Sequence, residues 1–192
     1  MNNKKIGFAL CGSFCTFSEA IMQIEELLKI GAEVFPIMSF NAYSVDTRFG
    51  KAEDHVKRIE ALCGKKVIAS ISDAEPIGPG NLLDLLIIEP CTGNTIGKLA
   101  NGITDTPVTL AAKAHLRNEK PVLIAVSTND ALTASALNIG KLLNTKNIYF
   151  VPMRQDSPEN KTRSIVADFS KTVISAQATL QGKQIQPIIT RI

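Results

Sequence analysis

The chain has 192 residues, of which 45% are hydrophobic and 20% charged, and this is the composition of an ordinary globular protein. Its net charge is +3 and aromatic residues make up 5%, so the sequence lacks the basic stripe and stacking rings typical of nucleic-acid binding. No apolar stretch reaches the roughly 18 residues of a membrane span, and the start of the chain does not resemble an export signal. We therefore expect one cytoplasmic domain over residues 1–192.

Cysteine and histidine usage indicates neither a disulfide framework nor a metal site. The cysteines are Cys11, Cys15, Cys63 and Cys91. They form no C-x-x-C pair, and unpaired thiols fit a reducing compartment. His55 and His115 lie in charged helical stretches, where a solvated side chain is the simpler interpretation and a catalytic base the alternative.

Short apolar runs alternate with longer amphipathic patterns. The runs predict buried strands at 5–10, 33–38, 67–71, 85–88, 121–126 and 148–151. Helical periodicity predicts helices between Thr16 and Gly31 and at 51–62, 94–101, 107–118, 131–143 and 165–180. The alternation, without repeat or linker, predicts one parallel sheet with helices on both faces. This is a doubly wound α/β fold, Rossmann-like or flavodoxin-like, with three αβα layers.

Several helix ends carry capping signals. Thr16 and Glu19 have the spacing of a capping box, and Gly31 is suited to a left-handed cap. Thr106 precedes Pro107, which predicts a helix that starts at the proline.

In such a fold, ligands bind beyond the carboxyl ends of the strands. Gly12 and Ser13 follow the first strand, where a glycine admits a ligand close to the backbone and the next helix favours an anion. A tight turn explains this loop equally well. It matches neither G-x-G-x-x-G nor the P-loop, which argues against an ordinary NAD or ATP site. Ser39 follows the second strand, and a polar turn is again the alternative.

The most specific motif spans 89–105, E-P-C-T-G-N-T-I-G-K-L-A-N-G-I-T-D. It resembles the P-A-T-A-N-T-I-A-K-x-A-x-G-x-A-D segment of the FMN-binding flavoprotein family, which includes cysteine decarboxylases and flavin prenyltransferases. After the next strand that family carries A-P-A-M-N, whereas residues 125–129 read A-V-S-T-N. The resemblance covers most of the chain and implies an FMN site.

The resemblance also implies where FMN would bind. Its phosphate would lie on Gly12, Ser13 and Ser39. The flavin or ribityl region would lie on Thr92, Gly93, Asn94 and Thr95, and the site would be closed by Ser127, Thr128 and Asn129. Lys98 either adds positive charge to this site or lies on a solvated helix face.

Longer stretches at 90–109, 112–117, 126–130 and 142–152 resemble one branch of the family, the B subunits of a two-subunit sporulation enzyme. This likeness implies a part in oxidising a dihydrodipicolinate-level intermediate to dipicolinate in the mother cell. It also implies a partner from the A subunits of that enzyme, here named the companion subunit, which carries the NADP site. Finally, it implies a homo-oligomer in which a neighbouring copy completes the flavin site.

One departure argues against the decarboxylase chemistry of the family. The decarboxylases place a catalytic histidine eight residues before the aspartate of the fourth strand, and the matching position here is Pro76. Proline has no titratable group. Apart from Glu89 at its start, the long motif contains one carboxylate, Asp105. Asp105 is either a candidate for proton transfer or a cap for the next helix.

Two other functions stay open at this point. The chain is either a scaffold that activates the companion subunit without chemistry of its own, or an FMN-dependent transferase or decarboxylase that acts alone.

Overall fold

The structure is a computed structural model that describes residues 1–191. The strands are β1 (Lys5–Leu10), β2 (Glu33–Met38), β3 (Leu85–Cys91), β4 (Val122–Thr128), β5 (Ile148–Phe150), β6 (Met153–Ser157) and β7 (Lys161–Ala167). The helices are α1 (Phe17–Lys29), α2 (Phe40–Ser44), α3 (Ala52–Cys63), α4 (Ile71–Ala74), α5 (Gly93–Ala100), α6 (Pro107–Arg117), α7 (Ala136–Leu143) and α8 (Thr172–Thr179). No helix within residues 1–191 is long and apolar enough to span a bilayer.

The sheet has the order β2-β1-β3-β4-β7-β6, and β5 also pairs with β4. Strands β1 to β5 are parallel, so the predicted three-layer α/β fold is confirmed. The expectation of a wholly parallel sheet is wrong, because β7 runs antiparallel to both β4 and β6.

The edge of β4 is shared by two strands. β5 has only three residues and pairs with Val122, Leu123 and Ile124 at the start of β4. The last two residues of β4, Ser127 and Thr128, are thereby left to pair with β7. The β6–β7 hairpin therefore lies at the carboxyl end of the parallel strands.

Hydrophobic side chains on the two faces of the sheet form the core. β3 is buried along its whole length, as expected for a strand covered on both faces. Leu85 and Ile87 pack on the face that carries α1, with Phe17 and Ile21. Leu86 and Ile88 pack on the opposite face with residues of α5, α6 and α7.

Three predicted elements are wrong in part. Residues 67–71 form no strand beyond a single bridge between Ile37 and Ile68, because Ser70 already caps α4 by accepting from Asp73 N at 3.0 Å. The helix predicted at 165–180 begins only at Thr172, since its first residues belong to β7. The helix predicted from 131 begins at Ala136, after a turn.

The helix caps are confirmed at α6 and wrong at α1. Thr106 accepts from Thr109 N at 3.2 Å and its own N–H donates to Thr109 Oγ1 at 3.1 Å, which forms a capping box. Thr16 forms no side-chain cap, because its hydroxyl donates to Ser13 O at 2.8 Å. Gly31 has the predicted positive φ of 82°.

Candidate functional site

A cleft of ≈ 680 Å³ opens at the carboxyl ends of β1 and β4. Three parts of the chain line it: the loop after β1, the end of β4, and the β6–β7 hairpin with the turn that follows. The lining includes Gly12, Ser13, Phe14, Cys15, Thr16, Glu19, Phe49, Thr92, Ser127, Thr128, Asn129, Arg154, Asp156, Lys161, Ser164, Ile165, Val166, Asp168, Phe169 and Ser170. This volume is typical of pockets for small molecules.

The loop after β1 is held in a fixed turn. Ser13 N donates to Cys11 O at 2.8 Å, and Thr16 Oγ1 donates to Ser13 O at 2.8 Å. The Ser13 hydroxyl shares a hydrogen bond with the Ser127 hydroxyl at 2.8 Å. This bond joins the loop after β1 to the end of β4 across the cleft.

The turn after β4 is organised by one carboxylate. Asp130 Oδ1 accepts from Thr128 Oγ1 at 2.6 Å and from Ser135 Oγ at 2.9 Å. Gly93 packs against this group, because a Cβ there would lie 2.7 Å from Asp130 Oδ1 and 2.8 Å from Thr128 Oγ1. The start of α5 can approach the turn only because residue 93 has no side chain.

The cleft brings together six of the predicted binding residues. These are Gly12, Ser13, Thr92, Ser127, Thr128 and Asn129. The other four lie outside its lining.

Those four have other surroundings. Ser39 caps α2 by accepting from Ala42 N at 3.3 Å, and Gly93 lies against the Asp130 turn. Asn94 is exposed, whereas Thr95 is buried and its hydroxyl donates to Cys11 Sγ at 3.2 Å.

The hairpin supplies polar cleft residues that the sequence analysis missed, among them Arg154, Lys161 and Ser164. A usable signal was present: two β-like stretches flank the turn-forming residues Pro158, Glu159 and Asn160. The helical spacing of the apolar residues after Ile165 concealed it.

A buried carboxyl group lies beside the cleft. Glu89 is fully buried, and its Oε2 accepts from Thr172 Oγ1 at 2.6 Å. Among residues 1–191, its Oε1 has no hydrogen-bond partner. Burial raises the pKa of Glu89 well above its usual range, the hydrogen bond from Thr172 partly opposes this, and the charge of Glu19 adds to it. The structure therefore favours a neutral carboxylic acid at this position.

Lys98 and Asp105 form an ion pair, with Nζ and Oδ1 2.7 Å apart. Neither lines the cleft. The ion pair is exposed to solvent, which is compatible with a position of Lys98 on a solvated helix face, and Thr106, not Asp105, caps the next helix. The salt bridge with Lys98 lowers the pKa of Asp105, which makes it a weaker base.

The histidines and Pro76 also lie outside the cleft lining. The expectation of a solvated side chain is wrong for His115, which is 1% exposed, and burial lowers its pKa to about 4. His55 is half-buried with its ring 5.2 Å from that of Phe17. Pro76 lies in a short turn beside α6.

The cysteines are free thiols, of which Cys15 is exposed. Within residues 1–191, no three His, Cys, Asp or Glu side chains are grouped closely enough to hold a metal ion.

The chain is similar to known proteins over most of its length. The model of the family described as "Flavoprotein" matches residues 1–178. Among the B subunits of dipicolinate synthase, that of Bacillus subtilis (strain 168) is 47% identical over 189 residues, which cover 98% of this chain and 94% of that protein. Another of these B subunits, from Bacillus halodurans C, has a crystal structure with a TM-score of 0.91 at 42% identity, covering 100% of this chain and 99% of its own. The FMN-dependent cysteine decarboxylase SpaF shares the fold, with a TM-score of 0.65 at 22% identity over 93% of this chain and 97% of its own.

The buried acid predicts a pH-dependent effect of Glu89→Gln on stability. Because the pKa of Glu89 is raised in the folded state, the unfolded chain binds fewer protons, and the carboxyl group destabilises the fold as pH rises. Glutamine keeps an acceptor for Thr172 but does not ionise. Relative to the wild type, the variant should therefore gain stability as the pH rises above the range in which an unfolded glutamate titrates, and the gain should stop growing once the pH passes the raised pKa of Glu89.

Urea unfolding at several pH values measures this difference. Glu159→Gln is the matched control, because Glu159 is exposed in the hairpin turn, and its stability should follow that of the wild type. A Glu89→Gln curve that stays parallel to the wild-type curve would contradict the assignment of a neutral acid.

Proposed function

The chain belongs to the flavoprotein family, and we propose that it is an FMN-binding subunit that takes part in oxidising a dihydrodipicolinate-level intermediate to dipicolinate. The observation that carries this proposal is the near full-length similarity to B subunits of dipicolinate synthase from two Bacillus species. The coherent cleft beside the family motif supports it. The proposal makes the protein part of an oxidoreductase, with a companion subunit on which NADP would bind.

The lining of the cleft fits a flavin nucleotide chemically. Such a molecule joins an aromatic ring system to a polar chain and a phosphate, and the lining has both kinds of surface. Phe14, Phe49 and Phe169 supply aromatic surface, while Ser13 and Ser127 supply hydroxyl groups. A loop with Gly12 and Ser13 ahead of α1 suits an anion, because a helix N-terminus favours negative charge.

The proposed roles follow from these positions. Gly12 would allow the ligand to approach the backbone, and Ser13 would donate a hydrogen bond after exchanging its partner Ser127 for the ligand. Thr128 is held by Asp130 and would keep the wall of the cleft in place. When bound, FMN would supply an electron acceptor. The protein groups would bind and orient the molecules and exclude water.

The lining offers little acid–base chemistry. Asp156 pairs with Lys161, with Oδ2 and Nζ 2.5 Å apart, and Asp168 accepts from the Ser170 hydroxyl. Both carboxylates are therefore already engaged by neighbouring side chains. Glu19 is the third carboxylate of the lining, and the other polar groups include serine, threonine and asparagine side chains, which position a substrate better than they transfer its protons. This division supports a reaction that depends on the companion subunit.

The first test is FMN binding by calorimetry. Ser13→Ala should weaken binding by about 1–3 kcal/mol, because it removes a hydrogen bond to a polar or charged ligand. The double variant with Asn94→Ala tests the contact that the family motif implies for Asn94, which lies outside the cleft lining; a further loss of affinity supports that contact. Ser18→Ala is the matched control, since Ser18 is exposed and belongs neither to the cleft lining nor to the family motif. An absence of heat when the unmutated protein is titrated with FMN would exclude the proposed cofactor.

The second test is reconstitution with the companion subunit. Dipicolinate should form only, or much faster, when both proteins are present, because this chain has no dinucleotide fingerprint after β1. Each protein is assayed separately with NADP and then in the mixture. Full activity of this chain without its companion would show that the proposed division of labour is wrong.

The third test concerns self-association. We expect a homo-oligomer, because the cleft is open along one side and a neighbouring copy would complete its walls. Light scattering at micromolar concentration should give a mass above the 20.7 kDa of one chain. A monomeric mass would refute this expectation.

A further inference from the structure

The hairpin face of the cleft carries a cation with no acidic partner. Arg154 lies on β6 opposite Val166 of β7, and both residues line the cleft. Among residues 1–191, the Arg154 guanidinium forms no salt bridge and no side-chain hydrogen bond. Lys161, the other cation in the lining, is instead paired with Asp156.

The charge balance of the cleft makes this arginine significant. Glu19, Asp156 and Asp168 are the carboxylates of the lining and Lys161 and Arg154 are its cations, while Asp168 also forms an ion pair with Lys171 outside the lining, at 3.7 Å. A dicarboxylate that enters such a cleft is repelled unless it meets a cation that is not already neutralised. Arg154 is the cation of the lining that meets this condition.

A second polar side chain lies on the same hairpin. Ser164 lines the cleft although the residue as a whole is only 3% exposed, and within residues 1–191 its hydroxyl forms no side-chain hydrogen bond. A hydroxyl on a cleft wall can donate to a bound ligand. Ser164 therefore offers an unused donor in the same wall as Arg154.

This wall is separate from the loop after β1, on which the phosphate is proposed to bind. Ser13 contacts Ser127 at the end of β4, and β7 lies between β4 and β6. Two strand spacings, about 10 Å, therefore separate the Ser127 backbone from the Arg154 backbone. Groups held by Ser13 and by Arg154 belong to different parts of the bound molecules.

We propose that Arg154, assisted by Ser164, forms a carboxylate subsite that binds the dicarboxylate substrate or product in this cleft. The inference rests on the proposed function, because the ligand class is that of the proposed reaction. The planar guanidinium matches a carboxylate through two parallel hydrogen bonds, and a charge-assisted pair of this kind is among the stronger polar interactions. The hydroxyl of Ser164 donates to the same anion.

The experiment measures dipicolinate binding to the FMN-loaded chain. FMN is titrated first, and then dipicolinate is added while the flavin absorbance is followed. Arg154→Gln should raise the Kd for dipicolinate by about tenfold or more and leave that for FMN unchanged. Arg163→Gln is the matched control on the same hairpin, because Arg163 is exposed and lies outside the cleft lining, and it should change neither constant.

The outcomes separate this inference from the proposed function. Failure of the unmutated chain to bind FMN contradicts the proposed function itself. Normal FMN binding combined with no dipicolinate binding, or with a Kd that Arg154→Gln leaves unchanged, overturns the subsite alone. A parallel titration with riboflavin tests the other anion: if Arg154→Gln weakens FMN but not riboflavin, Arg154 binds the phosphate and the carboxylate assignment is wrong.

Discussion

The pairing of β7 with the last two residues of β4 determines what lies above the parallel sheet. A short β5 leaves Ser127 and Thr128 without a neighbour, and β7 occupies that edge in antiparallel orientation. Because antiparallel strands can be joined by a tight turn, β6, which precedes β7 in the chain, pairs with the outer edge of β7. The hairpin is thereby fixed opposite the loop after β1, and a loop that would otherwise face solvent becomes one wall of a cleft. A longer β5 would pair with the whole of β4 and leave no place for this wall.

Two kinds of polar environment then meet within a few residues. In the open cleft, hydroxyl groups lie beside ion pairs such as that between Lys161 and Asp156. Below it, Glu89 lies in the apolar layer between β3 and α8, where one threonine hydroxyl is its hydrogen-bond donor. Burial penalises a charge far more than a neutral polar group, and it raises the pKa of Glu89 well above its usual range. The boundary between these environments coincides with the carboxyl ends of the strands.

Most of the parallel core could be predicted from the sequence, because strands such as β1 and β3 are buried on both faces and appear as uninterrupted apolar runs. The predicted loop residues Gly12, Ser13 and Ser127 also meet in space, since the rule that parallel strands end at one edge depends only on strand order. The hairpin could not be predicted in the same way. In strand β6 the one buried residue is Met153, and the polar residues after it are exposed or half-buried, while the apolar residues of β7 happen to share the helical spacing of those in α8. The pairing of β7 with β4 joins residues that are far apart in the sequence, and the local pattern of apolar residues does not predict such a contact.

The difference between the apolar sheet and the polar loops and hairpin also bears on how one fold can support different chemistry. The sheet depends on apolar side chains that many sequences can supply at the same positions, so it tolerates extensive substitution. The cleft depends on a few polar residues in loops and on the hairpin, where each change alters the reaction that can be supported. Pro76, where the family resemblance predicts a histidine in the decarboxylases, lies in a turn beside α6, outside the cleft lining. Proline has no titratable group, so this position supplies neither an acid nor a base. The cleft itself is lined by hydroxyl, amide and charged side chains from loops and the hairpin, which are groups that bind and orient a ligand.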